Sequence, residues 1–495
     1  MKEKVMIPNR GVVALDIIDS LKSIGLETIL LYSPEDSRSL PVKLADRSFK
    51  FYSSKLDDSY LDREAIIEKA LELNVHAIHP GYGFLAEDPI FSRMCEQNHI
   101  NFIGPDHRIL ETVHDKIHLR QIANELGLPF VKHSELIKSQ LDFELAVQGF
   151  RFPLVIKPLK GLGGRGIKTV IDRRDARQQI NEMLKRDENQ KNGIFLEPFF
   201  PHGHHIEIPF FRDGEGNILF LPEIESSIQR RFQKIFEESP SPNLSALTRD
   251  SLYHYSKKLI ERINYLGLGY VEFLVSENNP YFFEMNPTFQ INTLIPEIHI
   301  ISNFIKKQYA ISNGEVLHSV KGTKIINPKY HILLVSLMAE NPSDNFQPSS
   351  GTITEFYHYS TIRNIFKSSL YTGARISPLY DPYIGKIITF SSTRNQSIGN
   401  MKNFIENINI RGINTNLHFL KSLLDSDPLI RGETIIDFLN RKWEYANRKK
   451  TNNEILTAAL LLSSAFHIEN RKKNYKEELQ KMKQPGFFKR LFRRF

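Results

Sequence analysis

Apolar and polar positions recur on two periods along the first hundred residues. Lys4–Ile7, Thr28–Tyr32 and Ala77–His79 are short apolar runs of strand length, whereas Val12–Ile24 and Arg63–Leu73 repeat apolar residues at helical spacing. Strand and helix in turn predict a doubly wound parallel sheet. Ligands bind such sheets where the strands end. The Gly-rich turn His79-Pro80-Gly81-Tyr82-Gly83 is therefore either a ligand-side loop or ordinary tight-turn chemistry.

A helical span, Asp115–Leu126, precedes two strands, Phe152–Lys157 and Ile167–Ile171, which enclose Lys160-Gly161-Leu162-Gly163-Gly164-Arg165-Gly166. Glycines between two strands lack the following helix N-terminus that a Rossmann fingerprint or a P-loop requires. They predict a flexible flap whose backbone N–H groups close over phosphates, or a Gly-rich hairpin without a ligand. Residues 325–445 read as a further mixed unit, with a strand at Ile384–Phe390 and a helix at Ser397–Ile408. Beyond about residue 446 come an apolar helix (Ile455–Phe466), a Lys-rich helix and the ending FFKRLFRRF.

The stretch GYVEFLVSENNPYFFEMNP (269–287) carries the first chemistry. It predicts strands at Val271–Val275 and Tyr281–Met285, joined by a turn over Ser276–Pro280. Pairing Val275 with Tyr281 sets Glu272 opposite Glu284 on one face of the sheet, with Asn286 two residues on. Facing carboxylates repel unless a cation lies between them, and a hard cation such as Mg²⁺ suits oxygen ligands. Two surface glutamates on a solvated hairpin are the plain alternative.

Composition narrows the class. A chain of 495 residues, 41% hydrophobic and 25% charged, is expected to fold as two to four soluble domains. One cysteine, Cys95, excludes a disulfide framework and a multi-cysteine metal cluster. With no signal-peptide pattern at the start and no apolar run long enough to span a bilayer, a cytoplasmic protein without a transmembrane segment is expected. The net charge of +8 resides in residues 471–495, which hold ten Lys/Arg and two Asp/Glu; the rest has 55 of each sign. The folded body thus offers no nucleic-acid surface. In the tail, Phe487, Phe488, Leu491, Phe492 and Phe495 interleave with Lys489, Arg490, Arg493 and Arg494, the pattern of an amphipathic basic helix that docks on a partner protein or an anionic lipid surface, with a solvated tail as the plain alternative.

Nine segments occur in a meaningful order: IPNRG (7–11), HPGYGFLAED (79–88), FIGP (102–105), HDKI (114–117), VIKPLKGLGGRGI (155–167), HHIEI (204–208), QRRFQK (229–234), VEF with FFEMN, and LYDPYIGKI (379–387). Together they resemble the biotin carboxylase family, the ATP-grasp component of biotin-dependent acyl-CoA and pyruvate carboxylases. The resemblance implies an N-terminal biotin-carboxylase-like domain over 1–113 and an ATP-grasp domain over 114–324, whose Gly-rich lid covers about 130–204. A mixed α/β C-terminal domain over 325–445 and a helical basic tail over 446–495 follow. It implies ATP and Mg²⁺ (or Mn²⁺) as cofactors. Lys116 and Lys157 match lysines that grip the phosphates, and Gly161, Gly163, Gly164 and Gly166 match the lid. Glu197 matches a residue near the adenine, and His205 and Gln229 match other nucleotide contacts. Glu272, Glu284 and Asn286 match the metal ligands, and Lys234 matches a bicarbonate contact. The reaction implied is activation of bicarbonate by ATP to carboxyphosphate, then carboxylation of a biotin ureido nitrogen. Partners implied are biotin carboxyl carrier and carboxyltransferase subunits. Lys483, after Met482, lacks the surrounding β-rich domain of a biotin attachment site, so no biotin is expected on this chain.

Departures concentrate on the second half of that chemistry. In EMNPTFQINT, Gln290 is retained, but Thr288 stands where the family has a bicarbonate-gripping arginine. Asn292 stands at the general-base glutamate and Thr293 at a histidine. Ser336 stands at an arginine near the biotin ureido oxygen, Phe232 at a histidine and Pro198 at a lysine. An amide cannot accept a proton at pH 7, nor can a hydroxyl replace a guanidinium fork. Losing a general base costs about 10²–10⁴ in rate and losing one oxyanion donor about 10²–10³. The expectation is a Mg-ATP-binding subunit of an acyl-CoA carboxylase assembly that is impaired or inactive in biotin carboxylation. An active biotin carboxylase and an ATP-grasp ligase with another acceptor are the alternatives.

Overall fold

The structure is a computed structural model and describes residues 2–159, 166–441, 460–464 and 469. Gly161, Gly163 and Gly164 of the lid lie outside the described residues, as do Met482, Lys483 and the basic-aromatic ending. The chain divides into two units, residues 1–443 and 444–495; within the second the described residues, 460–464 and 469, are helical.

The N-terminal elements are β1 (Lys4–Ile7), α1 (Gly11–Lys22), β2 (Glu27–Tyr32), β3 (Arg47–Lys50), α2 (Arg63–Glu72), β4 (Ala77–Ile78), α3 (Pro89–Gln97) and β5 (Asn101–Phe102). Their strands form the expected parallel sheet, in the order β3-β2-β1-β4-β5. Asn9, buried just after β1, donates from Nδ2 to the carbonyls of Pro80 (2.7 Å) and Tyr82 (3.0 Å), which ties IPNRG to HPGYG. Gly81 has φ +75°, and a Cβ there would lie 2.8 Å from Asn9 Nδ2, so both its conformation and its surroundings demand glycine. Asp88 then caps α3 by accepting from the Phe91 N–H.

Next come α4 (Lys116–Glu125), β6 (Leu154–Pro158), β7 (Lys168–Val170), β8 (Ile194–Pro198), β9 (His204–Arg212), β10 (Ile218–Phe220), β11 (Ile224–Arg230), β12 (Gln233–Ser239), α5 (Ala246–Arg262), β13 (Gly267–Ser276) and β14 (Asn279–Asn286). β6 pairs antiparallel with both β7 and β8, the strand–loop–strand unit that the glycine run predicted. β15 (Thr323–Ile325), β16 (His331–Met338), β17 (Asn364–Ser368), β18 (Tyr383–Ser391) and α6 (Arg394–Glu406) complete the elements needed here. One ten-stranded sheet runs β14-β13-β9-β11-β12-β16-β18-β17, with β10 joining β9 to β15, and so continues across the 324/325 position.

Period-two alternation divides this sheet chemically. On β9, Ile206, Ile208 and Phe210, and on β13, Val271, Phe273 and Val275, enter a core with Leu119 and Ile122 of α4 and Leu252, Leu259 and Ile260 of α5. Each such side chain contributes about 1.5–3 kcal/mol of burial. The intervening His205, Glu207 and Glu272 therefore share the opposite face.

The hairpin differs from its expected form in an instructive way. Ser276 pairs with Asn279 across a two-residue turn, Glu277-Asn278, with φ of 51° and 63°. Two positive φ values match the twist of a tight hairpin better than a five-residue turn would. Val275 thus pairs with Pro280, one residue off the expected partner, and Leu274 with Tyr281 and Phe273 with Phe282. A bulge at Phe283 restores the register, so Glu272 faces Glu284 after all.

Candidate active site

Glu272 is 1% exposed, which overturns the solvated-hairpin alternative. Its charge is balanced from three sides. His205 Nε2 lies 2.6 Å from Oε2, while Lys234 Nζ (3.1 Å) and Asn286 Nδ2 (2.5 Å) donate to Oε1. Burial pushes this carboxyl up, but Lys234 and His205 outweigh it and hold it well below the usual carboxylate range. Lys234 also pairs with Glu207 at 2.7 Å. Burial opposes its charge, yet Glu207 and Glu272 raise the ammonium well above the ordinary lysine value. Gln229 Nε2, 2.7 Å from His205 Nδ1, orients the imidazole.

Across the hairpin, Glu284 receives Lys116 at 3.2 Å. Asp115 caps α4 by accepting from the Ile117 and His118 N–H groups, which fixes Lys116 at the first helical position. A lysine there opposes the helix dipole; the Glu284 carboxylate raises its pKa and holds it in place. Deeper in, Glu197 pairs with Lys157 (2.6 Å) and Arg120 (2.5 Å), all three buried. Burial raises the Glu197 carboxyl, but Lys157 and then Arg120 bring it down to about 2. The two oxygens of Glu197 are thus taken up by these ion pairs, one with Arg120 and one with Lys157.

The substituted positions form a second network. Asn292 donates from Nδ2 to Glu237 (2.6 Å) and Glu207 (3.1 Å), and its Oδ1 has no hydrogen-bond partner among the described residues. Burial and then Glu207 push the Glu237 carboxyl up to about 7. Gln290 donates from Nε2 to Thr288 Oγ1 (3.0 Å), and Thr288 in turn donates to Glu87 (3.2 Å). Thr293, at the family histidine, bonds Tyr270 Oη at 2.8 Å. Ser336 is buried on β16 opposite Lys386 of β18 and brings no charge. Lys386 is itself tied to Asp16 (2.9 Å) and the Ile291 carbonyl (3.1 Å). Phe232 lies in the β11–β12 turn with φ 64°, Pro198 ends β8, and Gly166 has φ +82° at the edge of the lid.

Most of the sequence-predicted side chains thus converge, but Glu87, Arg120, Glu207 and Glu237 were missed. Glu207 was within reach of the same parity argument, because it is two residues from His205 on a strand. Glu87, Arg120 and Glu237 depend on long-range packing.

The donor set fits a magnesium ion. Glu272, Glu284 and Asn286 offer hard oxygens on one face, and among the described residues no group of three or more His, Cys, Asp and Glu converges to hold a metal alone. Mg²⁺ takes one or two carboxylates plus phosphate oxygens. Lys116 pairs with Glu284, and Lys234 and His205 pair with Glu272.

Comparison with known proteins agrees along the whole described body. Family models match in order: "Biotin carboxylase, N-terminal domain" at residues 1–110, "Carbamoyl-phosphate synthase L chain, ATP binding domain" at 115–320 and "Biotin carboxylase C-terminal domain" at 335–441. The chain belongs to the biotin carboxylase family. Biotin carboxylase 1 of Bacillus subtilis is 33% identical over 447 residues, 89% of this chain and 98% of the relative. A pyruvate carboxylase subunit from Methanothermobacter thermautotrophicus is 30% identical over 89% of this chain and 90% of its own length. The biotin carboxylase domain dimer of Hydrogenobacter thermophilus 2-oxoglutarate carboxylase, solved with MgADP, ADP and bicarbonate, superposes with a TM-score of 0.84. It is 30% identical and covers 89% of this chain and 97% of that one. The fold is accordingly that of a biotin carboxylase: an N-terminal parallel sheet followed by ATP-binding and C-terminal mixed α/β parts. No helix among the described residues is long and apolar enough to cross a membrane.

Proposed function

We propose that this biotin-carboxylase-like ATP-grasp chain binds Mg-ATP but is impaired in the ATP-dependent carboxylation of biotin with bicarbonate. In this reading Lys116, Lys157 and the lid glycines hold the phosphates, and Glu272, Glu284 and Asn286 hold Mg²⁺. Bound metal supplies electrophilic neutralisation of the phosphates. His205 and Gln229 fix the inner carboxylate, and Lys234 faces the acceptor. The observation that carries the impairment is the position of Asn292: an amide spans Glu207 and Glu237 where a base should stand. Thr288 and Ser336 remove two cations from the same region.

The chain then serves as a partner within an acyl-CoA carboxylase assembly in the cytoplasm, beside biotin carboxyl carrier and carboxyltransferase subunits. Domains at 1–113, 114–324 and 325–445, with a docking tail beyond, belong to the same proposal. The Methanothermobacter relative, itself one subunit of a pyruvate carboxylase, supports it. Calorimetry tests the nucleotide half: Mg-ATP should bind, and Glu284→Gln should weaken it by removing a metal ligand. Absence of binding at millimolar ATP and Mg²⁺ contradicts the reading.

A further inference from the structure

Glu87 has no counterpart among the roles assigned above. It follows the HPGYG loop, fixed by Asn9 and Gly81, and directly precedes the Asp88 cap of α3, so its backbone is held at both ends. Its side chain is half-buried and accepts a hydrogen bond from Thr288 Oγ1 at 3.2 Å. Among the described residues it has no ion-pair partner; Lys116, the cation whose charge lowers its carboxyl pKa, is paired to Glu284. Thr288 is linked in turn to Gln290. Glu87 is thus a partly buried residue that sets its carboxyl against Thr288, which is bonded to Gln290, the two positions beside which the proposed function places bicarbonate.

We propose that Glu87 is the proton acceptor for phosphoryl transfer from ATP to bicarbonate in this protein, taking the place of the base that Asn292 cannot supply. The inference rests on the Mg-ATP reading above. In the step, the bicarbonate O–H proton passes to a Glu87 oxygen while the freed oxygen forms a bond to the γ-phosphorus. The bond from that phosphorus to the β,γ-bridging oxygen breaks, ADP leaves and carboxyphosphate forms. Glu237 is less suited, because it is 1% exposed and already committed to Asn292. The titratable groups whose charge acts on Glu87 are Glu284, Glu272, Lys116, Tyr82 and Tyr265. Burial raises its carboxyl to about 7; the hydrogen bond from Thr288 opposes this, and Glu284 adds to it.

The test is ADP release by the full chain with Mg-ATP and bicarbonate, without biotin, across pH 5.5 to 9. Slow bicarbonate-dependent release should rise through a limb near neutrality. Glu87→Gln should abolish the limb and lower the rate about 10²-fold, with calorimetric Mg-ATP affinity unchanged. Glu87→Asp should keep the limb at a reduced rate. Thr288→Arg, which sets a guanidinium against Glu87, should move the limb to lower pH. A readout independent of turnover uses metal-free protein. A carboxyl raised from 4.5 to about 7 contributes stability that is complete below 4.5 and lost as pH rises through 7. The thermal midpoint of Glu87→Gln should therefore gain on the unaltered protein between pH 5 and pH 8. A limb that survives in Glu87→Gln, or no bicarbonate-dependent release at all despite intact Mg-ATP binding, overturns this assignment alone. Failure of Mg-ATP to bind overturns both it and the reading beneath it.

Discussion

Position 292 cannot change from amide to carboxylate without changing what Glu207 and Glu237 experience. Asn292 donates to both, so its amide relieves the repulsion between two buried acids. Asn292→Glu replaces a donor with a third carboxylate and leaves its partners unsatisfied, a cost of about 1–3 kcal/mol. The loss should be larger at pH 8 than at pH 5, where a shared proton relieves it; chemical denaturation at the two values measures this. The same variant should restore little carboxylation, whereas Thr288→Arg, Asn292→Glu and Ser336→Arg together should recover more than the sum of the single changes. At the nucleotide end, Glu197 has its carboxyl depressed from 4.5 to about 2. That contribution is present above pH 4.5 and lost as pH falls through 2, so Glu197→Gln should flatten the acid limb of the stability profile. Residues with a partner fixed by strand parity were legible in the sequence, as Glu272 and Glu284 show, whereas the resemblance offered His205 as a nucleotide contact and the structure sets it against Glu272. Glu237 and Glu87 were not, because their significance arises only when β12 and the HPGYG loop pack against the segment 288–292.

Elements, rather than single side chains, set the positions of the cations. α4 begins at Lys116 because Asp115 caps it, and that cap aims the ammonium at Glu284. Asp115→Ala should cost about 1 kcal/mol in denaturation and also weaken the thermal shift produced by Mg-ATP, since the lysine loses its fixed origin. The β13–β14 hairpin makes the complementary case. Its turn residue Asn278 has φ 63°, a conformation that glycine adopts without strain. Asn278→Gly should leave the nucleotide shift intact and stability unchanged or slightly raised. Hydrophobic alternation made both strands readable, but a bulge leaves no period of its own, and Phe283 looks like any other apolar strand residue. Glu272 and Glu284 therefore stand in the expected apposition, but through a register displaced by one residue that the bulge compensates.

At the scale of the whole molecule, the ten-stranded sheet carries the metal-side hairpin at one end and reaches Ser336 on β16 near the other. Lys234 and Ser336 therefore stand on strands contributed from both sides of residue 325. Such long-range pairing was not legible, because the apolar patterns of β12 and β16 do not name each other. The ending 485–495, outside the described residues, is proposed to dock on a partner protein. Its deletion should release carrier or carboxyltransferase subunits in a pull-down and leave Mg-ATP binding unchanged. Under the proposed function, nucleotide binding and carboxyl transfer should be separable in this chain. Biotin-dependent ATP cleavage by the purified chain, run beside an intact family member with saturating bicarbonate, measures that separation. The predicted rate is lower by about 10²–10⁴-fold; a rate equal to that of the intact enzyme would contradict the impairment.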